Sequence, residues 1–222
     1  MAILTQGAID FLAELELNNN REWFTANKTR YEKSVKGPME ELAGDLIERL
    51  KSLGTPIEMS PKSAVFRIYR DTRFSKDKTP YKTNAGLSIS AGGKTGHGHS
   101  GVYVHLDPRT FGIASGHYFL DPAQISLMRR HIADNLEEFQ QQLDDKPFKK
   151  TFGTVRGEVN KVLPVEFRDA ARIQPLLFNK QFYYWAEYEP EAALNEDLSG
   201  FVMEHVKAAA PMNEFLARAL SS

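Results

Sequence analysis

The spacing of apolar residues along the chain changes partway, and the change marks out its elements. Ala8, Leu12 and Leu15 sit at helical intervals and predict a helix over 5–17. Asn18, Asn19 and Asn20 end it, and Asn19 followed by Glu22 reads as a capping box for a second helix. Trp23, Asn27, Tyr31 and Val35 then recur with helical spacing, with Phe24 beside them. Gly37-Pro38 is expected to interrupt, leaving Pro38 in the first turn of a third helix with the stripe Met39, Leu42, Leu46 and Leu50. Beyond residue 63 the period shortens. "AVFRIYR" (64–70), "AGLSIS" (85–90), "GVYVHLD" (101–107) and "TFGIASGHYF" (110–119) alternate or are rich in β-formers. The last two flank the turn signal "DPRT" and predict a hairpin. Asp121 and Pro122 open a helix whose buried face runs Ile125, Met128, Ile132, Leu136, Phe139 and Leu143. "KPFKKTFG" suggests a short helix, "QFYYWAEYE" (181–189) a strand, and 195–220 a helix re-started or kinked at Pro211.

Helices, then strands, then helix, strand and helix predict an α+β fold. Its sheet is mainly antiparallel, packed by N-terminal, central and C-terminal helices, and does not follow βαβ alternation. No repeat or linker divides the 222 residues, so a single domain over 1–222 is expected. A hydrophobic content of 41% is enough for a sizeable core without staples. The absence of cysteine excludes disulfides, thiolate nucleophiles and cysteine-ligated metals. The opening residues are amphipathic and acidic, unlike a signal peptide, and no run reaches the roughly 20 apolar residues that span a bilayer. A cytoplasmic protein with no membrane partner is expected.

Charge changes the picture more than composition does. The formal net charge is −1, yet Lys62 to Lys82 holds seven basic and two acidic residues, a local +5 against −6 elsewhere. An isolated basic patch on an acidic body favours a small anionic ligand over a long polyanion, whose phosphates the rest of the chain would repel. In "VFRIYR", Phe66 and Ile68 share one face and Arg67 and Tyr69 the other. Arg70, Arg73, Lys76 and Lys78 follow where the chain leaves the strand and are arranged to surround an anion, since guanidinium matches carboxylate and phosphate geometry. The competing reading pairs them with Asp71 and Asp77 in an exposed loop, where ion pairs contribute little.

The hairpin offers a floor for such a site. With "DPRT" at its tip, His105 lies beside Gly112, Tyr103 beside Ala114 and Gly101 beside Gly116, a trough that a ligand or a closely packed helix would fill. His105 is a candidate acid or base, with Asp71 or Asp77 as its orienting carboxylate. Arg129 falls inside the apolar stripe of its helix, so it pairs with a buried acid, reaches past the core or lines a pocket. Asn27, between Trp23 and Tyr31, reads as a structural amide. His97 and His99 are the weak metal candidates, on a glycine-rich loop with no third ligand at known spacing. GxSxG, a P-loop and HExxH are absent, and no cofactor is expected.

"FLAELELNNNREWFTANKTRYEKSV" followed by Pro38, and "FRIYRDTRFSKDKTPYKTNAG", resemble the bacterial and fungal domain of unknown function DUF2461. The resemblance continues through "GVYVHLDP" and "ASGHYFLDPAQI" and loosens after Lys146. It implies one intracellular domain spanning the chain and assigns no catalytic residue.

Three functions compete. In the first, Arg67, Arg70, Arg73, Lys78 and Lys82 hold a small phosphorylated or carboxylated ligand, while Tyr81, Tyr103 and His105 shape the pocket or move protons. In the second, the same patch binds nucleic acid or ribosomes, with Tyr69 and Tyr81 stacking on bases. In the third, it meets an acidic protein partner.

Overall fold

Regular apolar spacing from Ala8 to Leu50 makes the first part of the chain helical. In the computed structural model, which describes residues 2–96 and 98–221, it forms α1 (Gln6–Leu17), α2 (Arg21–Ala26), α3 (Lys28–Tyr31) and α4 (Gly37–Ser52). Asn20, not Asn19, caps α2, its side chain accepting from the Trp23 amide at 2.9 Å. Gly37-Pro38 does not interrupt the helix as expected. Proline lacks an N–H and crowds the carbonyl four residues back. A π-turn over Glu32–Lys36 widens the backbone ahead of it, and the chain continues into α4. A Cβ at Gly37 would lie 3.0 Å from the Glu32 carbonyl oxygen, so the turn uses glycine's bareness.

The single turn α5 (Pro61–Ala64) is capped by Ser60. Ala64 therefore closes a helix instead of opening a strand. Residues 65–70 join the sheet region only through the isolated bridges Val65↔Leu87 and Tyr69↔Tyr81. The regular antiparallel sheet consists of β1 (Ala85–Ser90), β2 (Gly101–Leu106), β3 (Phe111–His117) and β4 (Phe182–Tyr188), in the order β1-β2-β3-β4. Between β3 and β4 run α6 (Pro122–Asp134), α7 (Leu136–Asp144), α8 (Lys146–Phe152) and α9 (Arg168–Ile173). The Asp121 capping box is present on α6. The helix expected to reach Leu143 breaks at Asn135, whose side-chain amide donates to the His131 carbonyl at 2.8 Å, a local bond that competes with the helix. The last helix, α10 (Leu198–Arg218), carries Pro211 inside it. Among the described residues, no helix is long and apolar enough to cross a membrane. The architecture is α+β.

The chain gathers into two compact units. The first comprises Met1–Ile89, Tyr103–Ile113 and Glu187–Met203, and the second Ser90–Val102, Ala114–Ala186 and Glu204–Ser222. In the first, Phe11, Phe24, Tyr31 and Tyr81 form a buried aromatic cluster, with Leu42, Leu46, Leu87, Val104 and Phe111 also buried. In the second, the core includes Met128, Ile132, Phe139, Phe148, Leu177, Tyr184 and Phe215. There the buried Tyr184 hydroxyl donates to Asn213, whose amide donates to Ser115 at 2.9 Å.

Candidate functional site

The tip of the β2–β3 hairpin fixes a carboxylate. The Asp107 amide donates to the Thr110 carbonyl at 2.9 Å and closes the turn. Oδ1 of Asp107 accepts the backbone amides of Arg109 and Thr110 at 2.8 and 2.9 Å. That leaves Oδ2 for the ring of His105, which approaches it through Nε2 at 2.9 Å. Burial alone would push the Asp107 carboxyl up, but the bonds from His105 and the turn amides outweigh it and hold its pKa below the usual value. With Nε2 donating to Asp107, Nδ1 of a neutral imidazole is an acceptor. It faces the Asn84 amide at 3.3 Å and the Tyr103 hydroxyl at 3.2 Å.

This cluster follows from strand alternation. Val102, Val104 and Leu106 are buried on one face of β2, and Tyr103 and His105 stand half-buried on the other. On the neighbouring segment Asn84 and Gly86 lie against His105 and Tyr103. A Cβ at Gly86 would come 3.0 Å from the Tyr103 hydroxyl and 3.2 Å from its ring, so glycine here makes room for the tyrosine. The Tyr103 ring meets the edge of Phe66 at 6.0 Å between centroids, and the Lys82 ammonium lies 5.4 Å from the centre of that same Phe66 ring. Burial first, and then the nearby Arg67 charge, lowers the proton affinity of Lys82. Among the described residues neither Arg67 nor Lys82 forms an ion pair. Lys82, Phe66, Tyr103 and His105 thus form a chain of contacts within the first unit.

The rest of the basic segment is arranged differently. Arg70 bonds to the Asp77 carboxylate and the Thr79 hydroxyl. Arg73 makes a two-pronged bond to Asp71, through Nε at 3.0 Å and Nη2 at 2.7 Å. Lys78 donates to the Thr72 carbonyl at 2.9 Å. The Thr79 amide, together with Arg70 and the Thr79 hydroxyl, pulls the Asp77 carboxyl down to about 2. The Arg70 amide to Pro80 carbonyl bond, 2.9 Å, closes this loop at its base. The two aspartates that sequence reasoning offered to His105 are therefore engaged by Arg73 and Arg70, and the carboxylate on His105 is Asp107. A signal for it existed, since His-x-Asp on a strand puts both side chains on one face. At the loop tip Phe74 is 95% exposed with the Arg73 guanidinium 5.8 Å from its ring centre, a feature sequence reasoning missed.

Tyr81 is buried, not presented to a ligand. Its ring stacks on Phe24 at 4.0 Å between centroids, and Asn19 grips its backbone from both sides, donating to the carbonyl at 2.9 Å and accepting the amide at 3.1 Å. Arg129 belongs to the second unit. It is buried without an acid, and its Nε and Nη2 donate to the carbonyls of Leu177 and Asn179 at 2.8 and 3.0 Å. His97 lies outside the described residues. His99 sits after a turn closed by its amide bonding the Gly96 carbonyl at 2.7 Å. Among the described residues no group of three His, Asp or Glu side chains gathers as metal ligands would. The second unit also has a cavity of about 280 Å³ lined by Lys161, Val162, Leu163, Arg168, Ala171, Arg172 and Phe178, which sequence reasoning did not anticipate.

These features define an α+β protein with a carboxylate-held histidine on the polar face of its hairpin. Residues 7–215 match the family described as "Conserved hypothetical protein (DUF2461)", and the chain belongs to that family. Comparison with curated proteins gives no match.

Proposed function

We propose that the first unit binds and turns over a small phosphorylated or carboxylated ligand on the polar face of β2. Arg67 supplies the permanent positive charge and Lys82 a second cation. His105, oriented by Asp107, accepts or delivers a proton through Nδ1, with Tyr103 and Asn84 beside it. The observation that carries this reading is the His105–Asp107 pair, with Tyr103 and Asn84 at the other ring nitrogen and the Phe66 ring joining Tyr103 to Lys82. Arg70 and Arg73 take a lesser part, because each is already bonded to an aspartate.

Thermal unfolding at fixed ionic strength tests it, with inorganic phosphate, sulfate and small sugar phosphates and carboxylates as probes. A ligand that binds only the native state adds about 2.7 kcal/mol at one hundred times its dissociation constant. The expected stabilisation is lost in Arg67→Ala and kept in Arg73→Ala. Retention in the first, or loss in the second, contradicts the reading.

A second reading rests on Phe74. A nearly fully exposed phenylalanine with an arginine at its ring, on a loop that also carries Lys76 and Lys78, has the elements of a single-strand stacking platform. It calls for binding of a short single-stranded oligonucleotide that falls steeply with salt and is lost in Phe74→Ala.

A further inference from the structure

We propose that the second unit carries a separate ligand site, the cavity beside α9, and that it takes a small monocarboxylate with a short aliphatic or aromatic tail. This site shares no residue with the one on β2 and does not depend on it.

Three short segments build the cavity. The Asn160 amide donates to the Phe178 carbonyl at 2.8 Å and the Lys180 amide to the Glu158 carbonyl at 2.7 Å. These bonds bring residues 161–163 alongside the 3₁₀ turn Pro175–Phe178. On α9, Arg168, Ala171 and Arg172 stand at i, i+3 and i+4 and so share one face, which lines the third side. Leu163 and Ala171 are buried and Phe178 is half-buried, so the floor is hydrocarbon. Lys161, Arg168 and Arg172 are exposed and form the rim, where the cavity meets solvent. Its 280 Å³ equals the liquid volume of about nine waters, so it admits a ligand of roughly that many non-hydrogen atoms.

The charges around it have one sign. Among the described residues no acid lines the cavity. Arg168 is tethered there by its Nε, which donates to the Leu163 carbonyl at 3.3 Å and leaves the terminal nitrogens for a ligand. Arg172 pairs with Asp169 at 3.2 Å, but the two side chains are 82% and 93% exposed. Exposed pairs contribute little, so a ligand carboxylate can take the place of Asp169 at small cost. A guanidinium matches a carboxylate in shape as well as charge. The tail of the same ligand leaves water against Leu163, Ala171 and Phe178. An amine of equal size is repelled by the rim, and a neutral amide gains only the apolar part.

Methyl and amide NMR of the full chain tests the proposal, with phenylacetate and dilute octanoate as probes. Phenylacetamide is the neutral control and octylamine the cationic one. Both carboxylates are expected to give saturable shifts at Val162, Leu163 and Ala171. Octylamine should give none, and phenylacetamide should bind several-fold more weakly than phenylacetate. Lys161→Gln combined with Arg172→Gln, both at exposed positions and checked for an unchanged melt, is expected to weaken phenylacetate several-fold and leave phenylacetamide unchanged. Ala171→Leu, which fills the floor, is expected to abolish binding of both. The absence of saturable shifts with either carboxylate, equal affinity for phenylacetate and phenylacetamide, or undiminished phenylacetate binding in the double variant overturns the proposal. So does binding retained by a folded Ala171→Leu.

Discussion

Oδ2 of Asp107 and Nε2 of His105 are 2.9 Å apart, and the other oxygen of the same carboxylate holds the hairpin turn. One side chain thus sets both the register of the β2–β3 hairpin and the orientation of the imidazole. The two roles separate chemically. An asparagine oxygen at 107 still accepts the turn amides, but its NH₂ cannot accept from Nε2–H.

Asp107→Asn is therefore expected to keep the fold and change the His105 tautomer, read by long-range ¹H–¹⁵N NMR of the ring. An unaltered tautomer contradicts the assignment. The variant also has a predicted acid limb. A carboxyl held below its usual pKa contributes stability above the ordinary value of about 4, and that contribution is lost as pH falls through the folded value. Between neutral pH and pH 3 the wild type should lose more stability than Asp107→Asn.

His117 gives a second pH prediction in the opposite charge sense. It is 1% exposed, neither ring nitrogen has a hydrogen-bond partner among the described residues, and burial, then His99, pushes its pKa down to about 4. The unfolded histidine titrates near 6.5, so between about 6.5 and 4 the unfolded chain takes up a proton that the folded chain refuses. Stability falls as pH drops through that window, by roughly 3 kcal/mol in all. His117→Leu should remove this slope in urea titrations and, by deleting unsatisfied buried nitrogens, be at least as stable as wild type at pH 7. A variant with the same slope would place the acid sensitivity elsewhere.

Arg129 is predicted to be a structural residue. Its guanidinium fork bonds two carbonyls from a buried position, a geometry that lysine cannot copy. Arg129→Lys and Arg129→Met should each lower stability by about 3 kcal/mol, measured by chemical denaturation. Losses within experimental error would show that those carbonyls find other donors.

Arg73→Ala is expected to leave the melting midpoint near that of wild type, because the Arg73–Asp71 pair is largely exposed and such pairs contribute little. Its effect should be confined to local order, read as faster amide exchange in residues 72–78. A large drop in midpoint would mean that the loop supports the core.

Much of this was legible in the chain. The α1–α4 stripes, the hairpin at "DPRT" and the Asp121 cap depend on neighbours a few residues apart, and local spacing encodes them. The failures were of three kinds. The π-turn before Gly37-Pro38 replaces an expected break, because backbone widening absorbs the proline at a level that side-chain periodicity does not report. Tyr81 reads as available for a ligand, but its ring stacks on Phe24 and its backbone is held by Asn19, both distant in sequence. The arginine-rich segment misled in a third way. Its +5 charge reads as one site, whereas the loop folds Asp71 and Asp77 back onto Arg73 and Arg70, and Lys82 lies apart from them against the Phe66 ring.

The most direct test of the central claim is an NMR titration of the isotope-labelled protein with inorganic phosphate at constant ionic strength. The account predicts saturable shifts at the His105 ring, the Tyr103 and Asn84 amides and the Arg67 and Lys82 side chains, with the Arg73 and Phe74 signals unmoved. Saturable shifts centred on Arg70, Arg73 and Phe74, with His105 silent, would contradict it.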